Sequence, residues 1–388
     1  MKKIILLLCI TILTVATTVA IPVGTAFAQS DMQYRSLLVM DYDTGTVVYE
    51  ENADTPYPIA SMVKIMTLAL TFDAIEKGNL SYEEKITISD NAASMGGSQL
   101  FLDAGSEYTV SDLIKGVVVC SANDAATALG ERISGNIDKF VEKMNNYAKE
   151  LGMTHTVFCN ATGLPNSGEQ YSTARDVSLM MQKVLSYPKY YEYSGIWMED
   201  FVHPDGRKTE IVNTNKLIRF MKECDGGKTG FTNEAGFCLS ATAKNGDTRM
   251  IATILGATDG KARFAKVSEM LRAALNEYET KVYLKKNETF TIDGSAIQRS
   301  KEGKITLYCG EDLTVFGKKN SENYKAEIEL IEGLKAPINA NTEVGTIYLV
   351  NEQGDRIRSC SLYTQNDIER KTIGEELKEI VRKRYFIK

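Results

Sequence analysis

Histidine and tryptophan are scarce in this chain of 388 residues, which has two histidines and one tryptophan. His155 and His203 stand in loop-like stretches, and neither has a second metal ligand at helical spacing. A zinc site needs several such ligands, so none is expected. A cysteine nucleophile paired with histidine, for which Cys120 would be the candidate, has no support either. The sequence therefore predicts neither a metal nor another cofactor.

An excess of positive charge is also lacking. The formal net charge is −6 at pH 7 and the isoelectric point is about 5.4, so no basic field points to nucleic acid as a partner. Hydrophobic residues make up 43% of the chain and charged residues 25%. These are ordinary proportions for a folded protein, and they exclude an intrinsically disordered one. The length predicts two domains.

Closely spaced cysteine pairs are absent as well, because no C-x-x-C motif occurs among the seven cysteines. Six remain if the N-terminal segment with Cys9 is removed: Cys120, Cys159, Cys224, Cys238, Cys309 and Cys360. An even number in an exported chain would permit disulfides. Wide spacing and the size of the chain favour buried thiols instead. Both states stay open, with thiols preferred.

The chain begins with the pattern of a secretory signal peptide. Lys2 and Lys3 precede a long apolar stretch that ends in Ala26-Phe27-Ala28, with small residues at the two positions that a signal peptidase reads. Residues 1–28 are therefore predicted to be cleaved. The alternative is an uncleaved membrane anchor, since the stretch is long enough to cross a bilayer. In either case the rest of the chain is expected to work outside the cytoplasm.

Residues 29–278 have the pattern of an α/β domain. Two strands around the turn Asp43-Thr44-Gly45 open it, and two more, joined at Asn245-Gly246-Asp247, occupy residues 234–258. An amphipathic helix follows at residues 262–278, and short helices fill much of the middle. Strands at both ends with helices between them predict a sheet covered by helices, with a helical subdomain.

The pattern changes after about residue 279. Short alternating segments separated by glycine and asparagine turns predict a small all-β domain over residues 279–365, followed by a basic tail at 366–388. Five apolar residues of the tail share one helical face: Ile373, Leu377, Ile380, Val381 and Tyr385. Seven basic and three acidic residues lie between 370 and 388. Such a basic amphipathic helix is typical of one that lies on an anionic membrane surface; the alternative is a helix packed on its own domain.

Ser61 and Lys64 lie in the apolar run "IASMVKIMTLAL", residues 59–70, which has a helical pattern. Residues three apart on a helix share a face, so the hydroxyl and the amine meet within one turn. A serine needs a base beside it to act as a nucleophile. Lysine is a base only when it is neutral, and apolar surroundings favour that form. The pair is therefore a candidate nucleophile and base, although S-x-x-K alone also fits a lysine that extends out of a helix.

Two further motifs supply the polar groups that such a serine would need. Ser121-Ala122-Asn123 follows an apolar run and precedes a helix, so a loop would carry a hydroxyl and an amide together. A helix N-cap is the structural alternative. Lys228-Thr229-Gly230 stands just before an apolar strand and offers a cation, a hydroxyl and a glycine where a backbone can approach a ligand. A turn is the alternative there.

The three motifs in this order are similar to the signature that penicillin-binding proteins share with class A β-lactamases. The sequence resembles a low-molecular-mass penicillin-binding protein, a serine-type D-Ala-D-Ala carboxypeptidase. The resemblance extends to "GMTHTVFCNATGLP", "YSTARDVSLM" and "DGGKTGFTNEAGFCL" and covers much of residues 36–265. It implies a β-lactamase/transpeptidase-like catalytic domain. The β-rich region and the basic tail fit the family's second domain and membrane-associated helix.

The resemblance also implies a role for each matching position. Ser61 would form the acyl-enzyme, Lys64 would accept its proton, and Ser121 would relay a proton to the leaving amine. The expected substrate-binding residues are Asn123 at the substrate's amide, Lys228 as a source of positive potential, Thr229 at the terminal carboxylate, Gly230 where the backbone approaches the ligand, Phe231 through its backbone N–H, and Arg263 near the carboxylate. Arg249 is the alternative to Arg263. The N–H groups of Ser61 and Phe231 would form the oxyanion hole. Ala122 and Phe231 depart from the family, in which glycine and histidine are common at these positions.

The implied reaction is removal of the terminal D-alanine from a peptidoglycan stem pentapeptide through a serine acyl-enzyme. β-Lactams would acylate the same serine, and the expected location is the outer face of the cytoplasmic membrane or the cell wall. A serine β-lactamase is the alternative, but no E-x-x-L-N segment lies between Asn123 and Lys228 and the β domain would be superfluous. A wall-binding protein without activity is a third possibility, and the intact Ser61 and Lys64 argue against it.

Overall fold

The computed structural model describes residues 33–165, 168–320 and 324–385. The predicted signal peptide, residues 1–28, and the end of the predicted tail, residues 386–388, lie outside these ranges. The elements up to residue 277 are, in chain order, β1 (Ser36–Asp41), β2 (Val47–Glu51), α1 (Lys64–Glu76), β3 (Lys85–Thr87), α2 (Asp90–Ala93), β4 (Glu107–Thr109), α3 (Val110–Val119), α4 (Asn123–Ser134), α5 (Ile137–Glu150), α6 (Ala174–Leu185), α7 (Tyr190–Ser194), β5 (Met198–Val202), β6 (Lys208–Val212), α8 (Leu217–Phe220), β7 (Cys224–Thr232), β8 (Gly236–Asn245), β9 (Thr248–Ala257) and α9 (Gly260–Glu277).

Five antiparallel strands form the central sheet, in the order β2-β1-β9-β8-β7. All ten residues of β9 are buried, as befits the middle strand of a sheet that is covered on both faces. β7 lies at an edge and pairs only with β8, where Lys228 stands opposite Ser240 and Gly230 opposite Cys238. The outer side of β7 therefore keeps backbone groups that can pair with an extended ligand.

Lys228-Thr229-Gly230 was predicted to lie just before an apolar strand, with a turn as the structural alternative, but the segment is itself part of the strand β7. The segment "CDGGKTGFT" contains three glycines and an aspartate, and these residues are poor strand formers by themselves. Its pairing with the apolar strand β8 decides the conformation. Tertiary context thus overrides local propensity at β7.

Two apolar cores flank the central sheet. On one face, α9 packs Val267, Leu271 and Leu275 against residues of β8 and β9. On the other face, α1 lies among the helices of the middle region. Ten of its thirteen residues are buried, Lys64 among them. A helix that is buried nearly all round belongs to a domain interior, so the fold itself removes Lys64 from water.

The region after α9 is built from strands. Its elements are β10 (Tyr278–Leu284), β11 (Thr289–Asp293), β12 (Lys304–Cys309), β13 (Leu313–Lys318), β14 (Lys325–Leu330), β15 (Glu343–Val350), β16 (Arg356–Thr364) and the helix α10 (Ile373–Tyr385). A five-stranded sheet, β11-β12-β16-β15-β14, and a two-stranded one, β10-β13, enclose a separate apolar core that includes Leu307, Leu349 and Leu362. An α/β domain followed by a small β-rich domain confirms the predicted fold class. None of the six cysteines in the described part of the chain forms a disulfide.

The predicted tail helix is present as α10. Its apolar side chains are open to solvent: Ile373 is 74% exposed, Leu377 56% and Ile380 58%. These side chains are therefore not packed on the neighbouring β domain. Within the described ranges, no helix combines the length and the apolar character needed to cross a bilayer.

Candidate active site

Ser61 lies on a 3-10 helix, Ala60–Val63, that leads directly into α1. Lys64 is the first residue of α1, and its Nζ donates to Ser61 Oγ at 2.9 Å. The three-residue spacing therefore brings the two groups together, although the helix tightens between them. Ala60 has a φ of 47°, a conformation that costs an alanine on the order of 1–2 kcal/mol. Such local strain is common where a backbone must present a reactive side chain.

Lys64 is fully buried, and its amine has a second partner. Nζ donates to the backbone oxygen of Thr162 at 2.6 Å. Burial lowers the pKa of Lys64 well below its usual value, and the positive charge of Lys228 lowers it further. In the neutral state, one N–H of the amine bonds Thr162 O while the lone pair can accept the Ser61 proton.

Thr162 was not among the residues that sequence reasoning selected. Its carbonyl is held by a compact turn in which Asn160 Oδ1 accepts the N–H groups of Thr162 at 3.0 Å and Gly163 at 2.7 Å. A hydroxyl of α1, on Thr67, donates to Ala161 O at 2.8 Å and ties this turn to the helix. Asparagine two to three residues before such turn N–H groups is a recognisable signal. The bond between Thr162 O and Lys64, however, joins residues 98 positions apart, which the sequence pattern does not reveal.

Gly163 permits this turn to lie directly behind the nucleophile. Its φ is +81°, and a Cβ built there would lie 2.0 Å from Ala60 O and 2.8 Å from Ser61 N. We expect Gly163→Ala to lower the melting temperature and to slow acylation of Ser61 by about tenfold or more, since backbone must move at the reacting residue.

Gly206→Ala is the matched control for this prediction. Gly206 has a φ of +88° and open space around the position of its absent Cβ, so only the conformational penalty applies. Thermal melts and the rate of penicillin labelling measure both variants. Equal acylation by the two variants would contradict the steric argument.

Ser121 lies in the connection between α3 and α4. It is 4% exposed and has a φ of 63°, in the left-handed region that non-glycine residues rarely adopt. Its Oγ accepts from Lys228 Nζ at 2.7 Å. The N-cap of α4 is Ala122, with no side-chain capping bond, so Ser121 does not have the capping role that was its structural alternative.

Lys228 is the second buried cation of the site. It is 1% exposed, and besides Ser121 it bonds Thr229 O at 2.8 Å. Burial lowers the pKa of Lys228 to about 7, and the charge of Arg263 acts in the same direction. Lys228 therefore changes its charge near neutral pH, where a bound carboxylate would favour its protonated form.

β7 passes close to Ser61, the predicted nucleophile. A Cβ on Gly230 would lie 2.7 Å from Ile59 O, so only glycine lets this strand approach the 3-10 helix so closely. Phe231 follows, with its side chain 50% exposed and its ring stacked on Phe237 at 4.3 Å. A cleft of about 470 Å³ opens beside Ala60 and runs toward Thr232. It can accept an extended chain that is bound along β7.

The two candidate arginines have different environments. Arg263 Nη1 donates to Gly230 O at 3.1 Å and to Cys238 O at 2.9 Å, while its buried Nε has no partner among the described residues. Arg249 is 8% exposed and forms a two-bond ion pair with Asp225 at 2.7 Å. Arg263 thus adjoins the Lys228-Thr229-Gly230 segment, whereas Arg249 is committed to a carboxylate of this chain.

Cys120 precedes the serine loop but has the properties of an inert thiol. Its Sγ donates to Gly116 O at 3.3 Å. Burial raises the pKa of Cys120 to about 12, so the reactive thiolate form is suppressed. The structure gives no support to a cysteine nucleophile at this position.

Comparisons with known proteins identify the family to which this fold belongs. The family described as D-alanyl-D-alanine carboxypeptidase matches residues 23–259, and the family described as Penicillin-binding protein 5, C-terminal domain, matches residues 278–370. The chain is 38% identical over 339 residues to D-alanyl-D-alanine carboxypeptidase DacF of Bacillus subtilis (strain 168), covering 87% of this chain and 86% of the relative. It is 34% identical over 322 residues to D-alanyl-D-alanine carboxypeptidase DacC of Escherichia coli (strain K12), covering 81% and 79%.

Solved structures give the same result. Penicillin binding protein 5 from Haemophilus influenzae superposes with a TM-score of 0.68 at 28% identity, covering 87% of this chain and 98% of that one. Penicillin-binding protein D2 from Listeria monocytogenes, solved in an ampicillin-bound form, superposes with a TM-score of 0.55 at 33% identity, covering 62% and 96%. The chain belongs to the D-alanyl-D-alanine carboxypeptidase family, and the resemblance inferred from its motifs is confirmed.

Proposed function

We propose that this protein removes the terminal D-alanine from peptidoglycan stem pentapeptides through an acyl-enzyme at Ser61, and that β-lactams acylate the same serine. The observation that carries the proposal is the 2.9 Å contact between Ser61 Oγ and the buried amine of Lys64. The carboxypeptidase names of the relatives and the ampicillin-bound neighbour support it. A β-lactamase is less well supported, because the partners of Lys64 Nζ in the described chain are a hydroxyl and a carbonyl, with no carboxylate to activate water.

The first chemical step is acylation of the serine. The Ser61 proton passes to the neutral amine of Lys64 while Oγ attacks the carbonyl carbon of the penultimate D-alanine. The N–H groups of Ser61 and Phe231 stabilise the oxyanion. The peptide bond then breaks as a proton reaches the leaving D-alanine nitrogen from Ser121, which Lys228 replenishes through their 2.7 Å contact.

The second step is hydrolysis of the ester. Lys64, which took the proton of Ser61, first passes that proton on to Lys228, which gave up its own proton when the D-alanine left. The free amine of Lys64 then accepts a proton from a water molecule as the water oxygen attacks the ester carbonyl. The bond to Ser61 Oγ breaks, Oγ recovers a proton, and the shortened stem peptide leaves with a new carboxylate. The slower this water attack is with a β-lactam, the longer the covalent adduct persists.

The substrate is placed by β7 and the groups around it. Its terminal carboxylate lies at Thr229 Oγ1 in the field of Lys228 and Arg263, and its amide meets Asn123. The terminal D-alanine, which is the leaving group, occupies this position. The rest of the stem peptide then runs past Gly230 and Phe231 toward the cleft of about 470 Å³ that Thr232 borders. Exposed backbone of an edge strand is suited to such binding.

The proposal is tested with the mature protein and a pentapeptide that ends in D-Ala-D-Ala. We expect release of D-alanine, and after penicillin treatment an intact-mass increase of one drug molecule that peptide mapping assigns to Ser61. Absence of both results would overturn the proposal. Rapid turnover of a chromogenic cephalosporin, in place of a lasting adduct, would favour the β-lactamase instead.

We further propose the division into a signal peptide (1–28), a catalytic domain (29–278), a β domain (279–365) and a membrane-binding tail (366–388), in a protein exported to the outer face of the cytoplasmic membrane. The change of architecture after α9 and the start of the C-terminal family match at residue 278 support the boundary between the catalytic and the β domain. The exposed apolar side chains of α10 support the role of the tail. Basic residues beside such a face strengthen binding to anionic lipid.

Removal of residues 373–388, which begin with α10, is expected to abolish binding to vesicles that contain an anionic phospholipid while leaving hydrolysis of a soluble peptide unchanged. Residues 366–372 are kept because Ile368 is 2% exposed in the core of the β domain and pairs with Ile338. Co-sedimentation measures the binding. The double variant Leu377→Ser/Ile380→Ser is expected to lose most of it, because both side chains are more than half exposed on α10. Equal sedimentation with anionic vesicles by the full-length and the truncated protein would contradict the membrane role.

A further inference from the structure

A loop that is distant from the nucleophile in sequence forms one wall of the site. We call residues 96–103, "GGSQLFLD", the wall loop. Asp124, the second residue of α4, is fully buried against it. The Asp124 carboxylate accepts the N–H of Leu100 at 3.1 and 3.0 Å through its two oxygens, and the N–H of Leu102 at 3.2 Å. A third donor, Ala125 N–H, lies at 2.8 Å.

The wall loop also holds Asn123, the residue beside Asp124. Asn123 Nδ2 donates to Gly96 O at 2.6 Å, and the backbone N–H of Asn123 donates to Ser98 O at 2.7 Å. A Cβ on Gly97 would lie 2.8 Å from Asn123 Nδ2, so the loop touches this amide with no spare room. Two carbonyl oxygens of the wall loop thus bind Asn123, while two N–H groups of the wall loop bind Asp124.

These bonds leave a defined part of the Asn123 amide uncommitted. The side chain has two N–H donors and one oxygen acceptor. Gly96 O takes one donor, and Oδ1 is buried without a partner in the described chain. One donor and one acceptor therefore remain, and they can bind a carbonyl and an N–H of an extended ligand.

The charge of Asp124 needs a reason, because its hydrogen-bond partners in the described chain are backbone N–H groups and Lys64 acts on it only through longer-range electrostatics. An unpaired buried carboxylate is unfavourable unless hydrogen bonds and dipoles replace its hydration. Three N–H groups and the first turn of α4 supply that replacement. An asparagine at this position would place its NH₂ group against at least one of these N–H donors. Only a carboxylate can accept all three hydrogen bonds.

We propose that Asp124 is a positioning residue that anchors the wall loop and thereby orients the side-chain amide of Asn123 toward the peptide group of the substrate. The inference rests on the proposed acylation of Ser61, because it concerns how ligands reach that serine. Its chemical consequence is selective: ligands that carry an amide next to the reacting carbonyl depend on Asp124, and ligands that lack this amide do not.

The test compares two penicillins on the mature protein. Benzylpenicillin carries an acylamino group beside its β-lactam ring, and 6-aminopenicillanic acid lacks it. We expect Asp124→Asn to slow acylation of Ser61 by benzylpenicillin by about 10- to 100-fold, which corresponds to a coupling of the size seen between residues in one hydrogen-bond network. Acylation by 6-aminopenicillanic acid is expected to change less than about threefold.

A double-mutant cycle separates positioning from general damage. Asn123→Ala is expected to reproduce the ligand-selective loss, and adding Asp124→Asn to it should slow benzylpenicillin no further. Asp41→Asn is the matched control, since Asp41 is also fully buried and accepts a backbone N–H, from Thr44 at 2.7 Å, but contacts no site residue. This control should lower the melting temperature and leave the ratio of the two penicillins unchanged.

Two outcomes would overturn the inference: an equal loss with both penicillins in Asp124→Asn, or a loss that adds fully to that of Asn123→Ala. If Asp124→Asn does not fold, Gly97→Ala tests the same link, because its Cβ displaces Asn123 Nδ2 while Asp124 stays in place. It should show the same selectivity, and equal losses with both penicillins would again overturn the inference. Wild-type protein that is not labelled by either penicillin would instead refute the proposed function.

Discussion

Replacing Lys64 by methionine is expected to slow acylation of Ser61 by about 10²- to 10⁴-fold, the contribution of a well-placed general base. Lys228, the other buried lysine among the described residues of the site, is not expected to take over, because it is bonded to Ser121 and Thr229. Intact-mass measurement of the penicillin adduct over time gives the rate. Acylation by Lys64→Met within about tenfold of wild type would show that another group is the base.

The stability of the same variant distinguishes chemistry from structure. Methionine keeps most of the lysine's volume and removes an amine whose burial is unfavourable. Thr162 O loses its 2.6 Å donor in exchange. We therefore expect a melting temperature close to that of wild type together with lost acylation. Lys115→Met is the control, since Lys115 pairs with Glu199 at 2.6 Å, is only partly buried, and should retain full acylation.

The serine and lysine could be predicted to meet because their contact is local. The contact follows from the three-residue helical spacing, and the apolar neighbours that bury Lys64 lie in the same segment, residues 59–70. The prediction assumed one helix, whereas Ser61 lies on a 3-10 helix and Lys64 begins α1. The predicted contact still forms, because both helix types place residues three apart on one face. The two hairpins and α9 were equally accessible from turn residues and periodicity.

The rest of the site depends on contacts that periodicity does not encode. β7 is a strand because β8 pairs with it, and its glycines gave no strand signal. Thr162 acts through a carbonyl that any residue possesses, so only its position matters. Asp124 was not selected from the sequence, since an acidic residue in the first turn of a helix is ordinary. Its attachment to the wall loop appears only when residues 24 positions apart are brought together.

The protonation of Lys228 is expected to limit activity on the alkaline side. Because the pKa of Lys228 is lowered to about 7 by burial, the cation that attracts the terminal carboxylate is lost in the free enzyme as pH rises through that value. Activity measured as kcat/KM on a D-Ala-D-Ala peptide should fall about tenfold per pH unit above this pKa. The decline should lie mainly in KM, since a bound carboxylate stabilises the protonated lysine.

Two substitutions at this position test the assignment. Arginine remains charged at all accessible pH values, so Lys228→Arg should lose the alkaline decline even if its longer side chain lowers the maximum. Lys228→Met should lower kcat/KM by about 10²- to 10³-fold at pH 6, equivalent to the 2–5 kcal/mol lost when one partner of a buried charge pair is removed. An alkaline decline that persists unchanged in Lys228→Arg would assign the titration to another group.

As the pH rises above about 7, the contribution of Lys228 to the free energy of unfolding should increase, whereas the activity should fall. Between about pH 7 and the usual pKa of lysine, 10.5, the unfolded chain binds a proton at Lys228 that the folded protein does not. Unfolding therefore takes up protons in this window, and the free energy of unfolding gains a term that rises with pH. Lys228→Met removes that term, so urea titrations should find its stability relative to wild type greatest below pH 7 and smaller toward pH 10. A wild-type advantage that grows as the pH is lowered would mean that the folded site favours the charged lysine even without substrate.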